Sequence, residues 1–478
     1  MCMESIARGA PQMCQMSNSR FLFPVIHCLI SIIAEITDDS NWGFDPNDIQ
    51  PYVIAKDTFG TVSKECGNSN FFNFFINLMN DVFSKPNQPW EIIYAFVAAL
   101  AELDTSTLSL LINTQDRNND QVLPVVQITM QIMPFIKDLN CHPRIRQASF
   151  QVITQLCRWI GPYYQREAGN YVLPPLKDLI FKETHPITRK SVIICLTAFF
   201  STLTSKDLIE DFDRTFNELI SMLKTAPFDL KPLIAKCLGF ILKAGGSHFL
   251  NYFPVMAETM QDLLQSPNIS LQICAIEAFA ISYYQIKVPN ECMDSCKIFL
   301  SAVIKILKSG RNDLSEKMID SCKMSICILI KRLESNFIEF ADDILPEAIN
   351  SAGASIEVTT VGAMEFTNEG FSFQMQIPTI SVSGVKQFVN KADVQSICKA
   401  LDIINEAEKA MKQEFIPYLD PTIKIAQQWL SSQYHIEPIK IKSCNILRSA
   451  ILVAFTNNNA LSLIELITDL YLQNITPI

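Results

Sequence analysis

Cys141-His142-Pro143-Arg144-Ile145-Arg146-Gln147-Ala148 opens one stretch of this chain, and Thr184-His185-Pro186-Ile187-Thr188-Arg189-Lys190 opens the next. The two His-Pro pairs lie about 43 residues apart. Each is followed by apolar residues at helical spacing, a polar break and a second apolar segment. In the first, Ile145, Ala148, Val152 and Leu156 fall on one face of a helix. A phrase that returns every ~40 residues, with two helices to the unit, predicts an all-α fold. The architecture it implies is an α-solenoid, in which each unit buries its apolar face against its neighbours.

Counted from these phrases, first helices start near His142, His185, Phe228, Asn268 and Arg311, in steps of about 40 to 43 residues. That is the length of a HEAT repeat. The register carries backwards: 48–66 reads as a first helix, 70–84 as a second and 90–103 as the next first helix, before a polar insertion over 104–120. One repeat on from Ala148 stands Ser191, and two repeats further Cys274; small residues there let neighbouring helices approach closely. Second helices carry an early proline, at Pro124, Pro174, Pro254, Pro346 and Pro417. A first-turn proline forfeits no hydrogen bond and fixes φ. Gly245-Gly246 reads as a helix C-cap and turn.

The pattern breaks at 351–390, where glycines appear and Phe371, Phe373, Met375 and Ile377 alternate. Asn368-Glu369-Gly370 predicts a turn in a short β-hairpin between 364–367 and 371–377. The expected organisation is a disordered or frayed 1–19, a HEAT array over 20–350, an insertion over 351–390 and further HEAT repeats over 391–478. Helices resume at 391–413, 415–432, 437–456 and 460–474. The last is apolar, which predicts a continuation, a partner or self-association, because arrays end in polar caps.

Composition narrows the function. The hydrophobic fraction of 49% supplies a core, and 14 glycines in 478 residues favour helices over sheets. The net charge of -10 repels phosphate backbones and disfavours nucleic acid as a partner. It either attracts basic proteins or serves only solubility. The 15 cysteines are odd in number and sit largely on apolar helical faces, which predicts reduced thiols in the cytosol or nucleus. Cys292, Cys296, Cys322 and Cys327 lack partners at zinc spacing, so no metal is expected. Residues 1–19 lack a signal peptide's apolar core, and the apolar 21–36 is too short for a bilayer, so no membrane insertion is expected. No phosphate loop, nucleotide fingerprint or nucleophile elbow occurs. His142 and His185 are explained by helix starts, and Asp207, Glu210, Asp211 and Asp213 by the positive end of a helix dipole. Neither an enzyme nor a cofactor is expected. Asp38, Asp39, Asp45 and Asp48, with Trp42 and Phe44 between them, form a solvated linker or a site for basic or apolar segments.

The order of several phrases adds a resemblance. Ala34-Glu35-Ile36 precedes the acidic loop; Ala95-Phe96-Val97-Ala98-Ala99-Leu100-Ala101-Glu102 follows; then come His142 to Arg146, the insertion with Met364-Glu365-Phe366, and Phe415-Ile416-Pro417-Tyr418-Leu419. In this order the chain resembles the importin-β (karyopherin) family of nuclear transport receptors, most nearly its importin-five-like branch, over about 21–430. Met364 and Ala363 stand where the family has a tryptophan and a run of acids, and nothing before Phe21 matches the N-terminal repeats that bind the GTPase Ran. The resemblance is therefore to the middle portion of a longer receptor, and it does not carry Ran binding with it. It implies a receptor that holds basic or extended protein cargo on second helices lining a concave face. It also implies first helices that offer apolar slots to phenylalanine-glycine nucleoporins, and shuttling between cytoplasm and nucleus. The expected cargo contacts are Asp38, Asp39, Asp45, Asp48, Glu210 and Asp211. The alternative is a general HEAT scaffold without transport activity.

Overall fold

The computed structural model describes residues 22–37, 50–66, 69–108, 123–203, 212–284, 292–309, 314–356, 358–360, 376–380, 386–432, 436–455 and 465. The chain divides into two compact units, Met1–Gly245 and Gly246–Ile478.

In the first unit α1 (Leu22–Ile33), α2 (Pro51–Cys66), α3 (Ser69–Ser84), α4 (Trp90–Ala101), a single turn α5 (Thr105–Leu108) and α6 (Pro124–Lys137) lead into the two His-Pro phrases. The phrases open α7 (Pro143–Lys182) and α8 (Pro186–Ser201), followed by α9 (Phe212–Thr225) and α10 (Lys231–Gly245). Every residue of α4 from Tyr94 to Ala101 is buried, because it is packed between neighbours on several sides. The face expected for α7 is the buried one: Ile145, Ala148, Val152 and Leu156 are all at most 3% exposed.

The helical stretch α7 is two helices in one. Ile160 has φ -125° and ψ 26°, outside the helical range. Gly161 and Pro162 follow, and the backbone bends there because proline cannot donate to the preceding turn. The half before the kink is a first helix and the half after it a second. The first helices α4, α7, α8 and α10 pack in a row, and the second helices α6 and α9 pack on the first helices that follow them.

The second unit repeats the scheme with α11 (Phe253–Leu264), α12 (Ile269–Ser282), α13 (Met293–Ser309), α14 (Glu316–Leu333), α15 (Ala341–Ala352), α16 (Lys391–Met411), α17 (Ile416–Leu430) and α18 (Glu437–Phe455). First helices α12, α14, α16 and α18 stack in order. Phe253 of α11, Phe279 of α12, Tyr283 at its C-cap and Phe299 of α13 form a buried aromatic spine, with Phe279 stacked on Phe299 at 3.9 Å. Burying each phenyl ring contributes ~1.5–3 kcal/mol.

Three 3-10 segments in this unit, Gly246–Tyr252, Glu334–Phe340 and Lys412–Phe415, lead into second helices. Each begins with a left-handed residue: Gly246 at φ 55°, Glu334 at 48° and Lys412 at 53°. The positive φ turns the chain out of the first helix, as expected at Gly245-Gly246 and unexpectedly at Glu334 and Lys412.

Several expectations are corrected. Helices expected near Phe228 and Arg311 start later, at Lys231 after the turn at 228–230 and at Glu316 after the Ser315 N-cap, whose Oγ accepts from Met318 N at 3.4 Å. Pro124, Pro254 and Pro417 do sit in a first turn. Pro174 and Pro346 lie inside α7 and α15 instead. Both are exposed, where water can satisfy the carbonyl that each leaves without a donor. The expected hairpin turn at 368–370 lies outside the described residues. The described strands β1 (Val358–Thr360), β2 (Gln376–Ile380) and β3 (Lys386–Asn390) form an antiparallel sheet in the order β1-β3-β2. Ile377 pairs with Val389, and β3 runs directly into α16 at Lys391, where helix was expected to resume. Trp429 Nε1 donates to Ala352 O at 2.7 Å and so ties α17 to the end of α15, where the insertion departs.

Candidate protein-binding surface

Second helices differ in charge along the chain. In the first unit α6 carries one basic residue, Lys137, and α9 balances Asp213 and Glu218 against Arg214 and Lys224. In the second unit α11 carries Glu258 and Asp262, and α15 carries Asp342, Asp343 and Glu347, with no basic residue in either helix. All five carboxylates are exposed. The helix between them, α13, supplies Lys297, Lys305 and Lys308, of which Lys297 pairs with Glu339 at 2.7 Å and Lys308 with Asp343.

These contacts cross from helix to helix and hold the surface in register. Gln261 Nε2 donates to Ser295 Oγ at 3.2 Å, linking α11 to α13. The Tyr418 hydroxyl of α17 donates to Asp342 of α15. Burial first, and then the Asp342 carboxylate, push the Tyr418 phenol up to about 12. The second helices and the segments leading into them also expose aliphatic side chains: Val255, Ile298, Ile338 and Ile416 are 43%, 47%, 40% and 40% exposed. Exposed apolar groups together with exposed carboxylates fit an extended segment bearing both basic and apolar side chains.

First helices offer a different feature. Between α4, α7 and α8 lies a cavity of 540 Å³ walled by Phe150, Ile187 and Ile194 and edged by Gln151, Arg158 and Lys190. The His-Pro phrases lie alongside as structure. His142 is the N-cap of α7, its Nδ1 accepting from Arg144 N at 3.3 Å, and its ring stacks on Trp90 at 3.7 Å. His185 occupies the N-cap position of α8.

The residues expected to contact cargo, Asp38, Asp39, Asp45, Asp48, Glu210 and Asp211, lie outside the described residues. The carboxylates of α11 and α15 were not singled out by the sequence reading. Their signal is second helices with several acids and no base, visible only once the repeat register says which helices share a face. Among the described residues no group of His, Cys, Asp and Glu could hold a metal ion. Burial pushes the thiols of Cys195 and Cys237 up to about 12, away from the reactive thiolate.

No family model matches the chain. It is 20% identical over 271 residues to importin subunit beta-3 of Saccharomyces cerevisiae, a match that covers 55% of this chain and 23% of that protein. The structure is similar to that of Kap121p bound to Pho4p, with a TM-score of 0.74 and 16% identity, over 99% of this chain and 44% of that one. It is also similar to the karyopherin Kap121p bound to the extreme C-terminus of the protein phosphatase Cdc14p, with a TM-score of 0.76 and 16% identity, over 99% of this chain and 46% of that one. The chain thus spans less than half the length of the structures it matches. These likenesses bear out the α-solenoid fold and the resemblance to part of an importin-β family receptor.

Proposed function

We propose that this chain is part of an importin-β-like nuclear transport receptor that binds protein cargo for import through the nuclear pore. The observation that carries this reading is the match to Kap121p over 99% of the chain. The acidic second helices α11 and α15 support a preference for basic or extended cargo segments, and the exposed Val255, Ile298, Ile338 and Ile416 add apolar contact. Cargo such as Kap121p holds, Pho4p, Nup53p or the SUMO protease Ulp1p, is the class to test first. The cavity between α4, α7 and α8 is suited to a phenylalanine ring from a nucleoporin repeat. The protein acts by binding rather than by catalysis, and it moves between cytoplasm and nucleus. Ran is not assigned a site on the described residues.

The test is a pull-down with the immobilised chain against a lysine-rich cargo segment, phenylalanine-glycine repeats and Ran-GTP, followed by import of a labelled cargo fusion into permeabilised cells. Capture of cargo and of phenylalanine-glycine repeats is expected. Capture of cargo without the repeats would move the assignment to a HEAT scaffold that holds basic segments without transport. Capture of neither would remove the transport reading.

A further inference from the structure

The first helices α16 and α18 are joined by polar rungs. Asp402 pairs with Lys442 at 2.5 Å, and Asn405 Oδ1 accepts from Ser449 Oγ at 2.9 Å. One turn further along α16 stands Glu408, which lines a cavity with Leu452 and Val453 of α18. Glu408 is 1% exposed, and neither of its carboxyl oxygens has a hydrogen-bond partner among the described residues. Its neighbour Lys409 is engaged by Glu406 at 2.7 Å. By contrast, Glu183, at 3% exposure, is matched by Arg146. Glu408 lines a cavity of 620 Å³ together with Asn405, Asn445 and Ser449, and exposed Lys412 and Arg448 stand at its rim.

We propose that this cavity receives one basic side chain, a lysine ammonium or arginine guanidinium presented by a partner polypeptide, with Glu408 as its counter-ion. The proposal rests on the reading that the chain binds protein segments, and it adds a site on first helices to the second-helix surface. A carboxyl buried without donors is poorly solvated as an anion and favours its neutral form. Burial accordingly holds Glu408 well above the usual glutamate range. When a cation enters, the carboxyl O–H bond breaks and its proton leaves to solvent. The carboxylate then accepts N–H bonds from the incoming group, and the side-chain carbonyls of Asn405 and Asn445 offer further acceptors. Lys412 and Arg448 stand at the mouth, and an entering basic side chain carries its charge past them to Glu408. Residues 456–478 contain no Lys, Arg or His, so that segment cannot supply the cation.

The test uses the full chain labelled with carboxyl-13C glutamate and four probes: the Nα-acetyl methylamides of lysine, arginine, norleucine and glutamate. The Glu408 resonance is identified by its loss in Glu408→Gln. Lysine and arginine probes are expected to move it to the ionised position, and norleucine to leave it in place. Calorimetry in buffers of different ionisation enthalpy is expected to read about one proton released per probe bound. Glu408→Gln is expected to weaken lysine-probe binding by about tenfold or more. The wild-type titration does not depend on how well the variant folds. No shift with the basic probes, an equal shift with norleucine, or preferential binding of the glutamate probe through Lys412 and Arg448 would each overturn the proposal. The probes carry no transport signal, so failure here leaves the pull-down result standing, and the reverse also holds.

Discussion

Arg146 and Glu183 form an ion pair at 2.5 Å with both side chains 2% exposed, and this pair joins one His-Pro phrase to the next. Arg146 belongs to the first phrase. Glu183 immediately precedes the second, and its Oε1 also accepts from the backbone N–H of His185 at 3.0 Å. One carboxylate therefore neutralises a buried guanidinium and shapes the entry to α8. Glu183→Leu strands the charge of Arg146 in the core, and the expected loss is ~3–5 kcal/mol in urea unfolding. The double variant Arg146→Met with Glu183→Leu is expected to recover most of it, because an apolar pair of similar volume needs no desolvation of charge. A double variant as unstable as the single one would show that the site depends on the His185 contact rather than on the pair.

Close approach at the kink of α7 makes a second, steric prediction. A Cβ placed on Gly161 would lie 2.5 Å from Thr202 Cβ and 2.6 Å from its Oγ1. That hydroxyl accepts from Gln165 Nε2 at 2.8 Å, and the same amide donates to Phe199 O at 2.6 Å, so Thr202 has little room to retreat. Gly161→Ala is expected to destabilise by ~1–3 kcal/mol. Thr202→Gly in the Gly161→Ala background removes the clashing carbon and should leave a smaller deficit by thermal unfolding.

The left-handed residues that open the 3-10 segments predict the opposite sign. Glu334 sits at φ 48° and ψ -129°, a region that costs a side chain with a Cβ. Glu334→Gly is expected to stabilise the chain by ~0.5–1 kcal/mol, since relief of backbone strain outweighs the added freedom of the unfolded state. Gly246→Ala is the converse. A Cβ there meets nothing within 4 Å among the described residues, so the loss reflects φ 55°, and about 1 kcal/mol is expected.

These positions mark where sequence reading succeeds and where it stops. The repeat register is legible because His142 and His185 stand at helix starts, and because apolar spacing from Ile145 to Leu156 is a local property of a helix. The resumption of helix at Lys391 is legible for the same reason. The start at Glu316 is missed because Ser315 caps the helix from a stretch with no proline to announce it. Glu334 and Lys412 are invisible as turn residues, since neither is a type that prefers positive φ. Pro174 and Pro346 mislead, because an exposed proline is tolerated inside a helix that its sequence position alone would start. The acidic surface and Glu408 need the third dimension. Carboxylates on α11 and α15 are brought together through the intervening α13, and the burial of Glu408 depends on how α16 packs against its neighbours.

Charge reversal on α11 tests that surface with little risk to the fold. Glu258 and Asp262 are exposed and lie one turn apart, while Asp343 is already matched by Lys308. Uncompensated carboxylates attract a basic segment over a distance set by salt, and paired ones contribute little. Glu258→Lys with Asp262→Lys is therefore expected to weaken binding of a lysine-rich segment by about tenfold at low ionic strength, with the difference narrowing as salt rises. Glu218→Lys on α9 is the comparison. Glu218 already pairs with Arg214 at 3.0 Å, on a helix with balanced charge, so its reversal is expected to leave binding within about twofold. Fluorescence anisotropy with a labelled lysine-rich peptide at two salt concentrations separates the cases. Equal losses for the two variants would mean that net charge, rather than the second-helix surface of the second unit, attracts the segment.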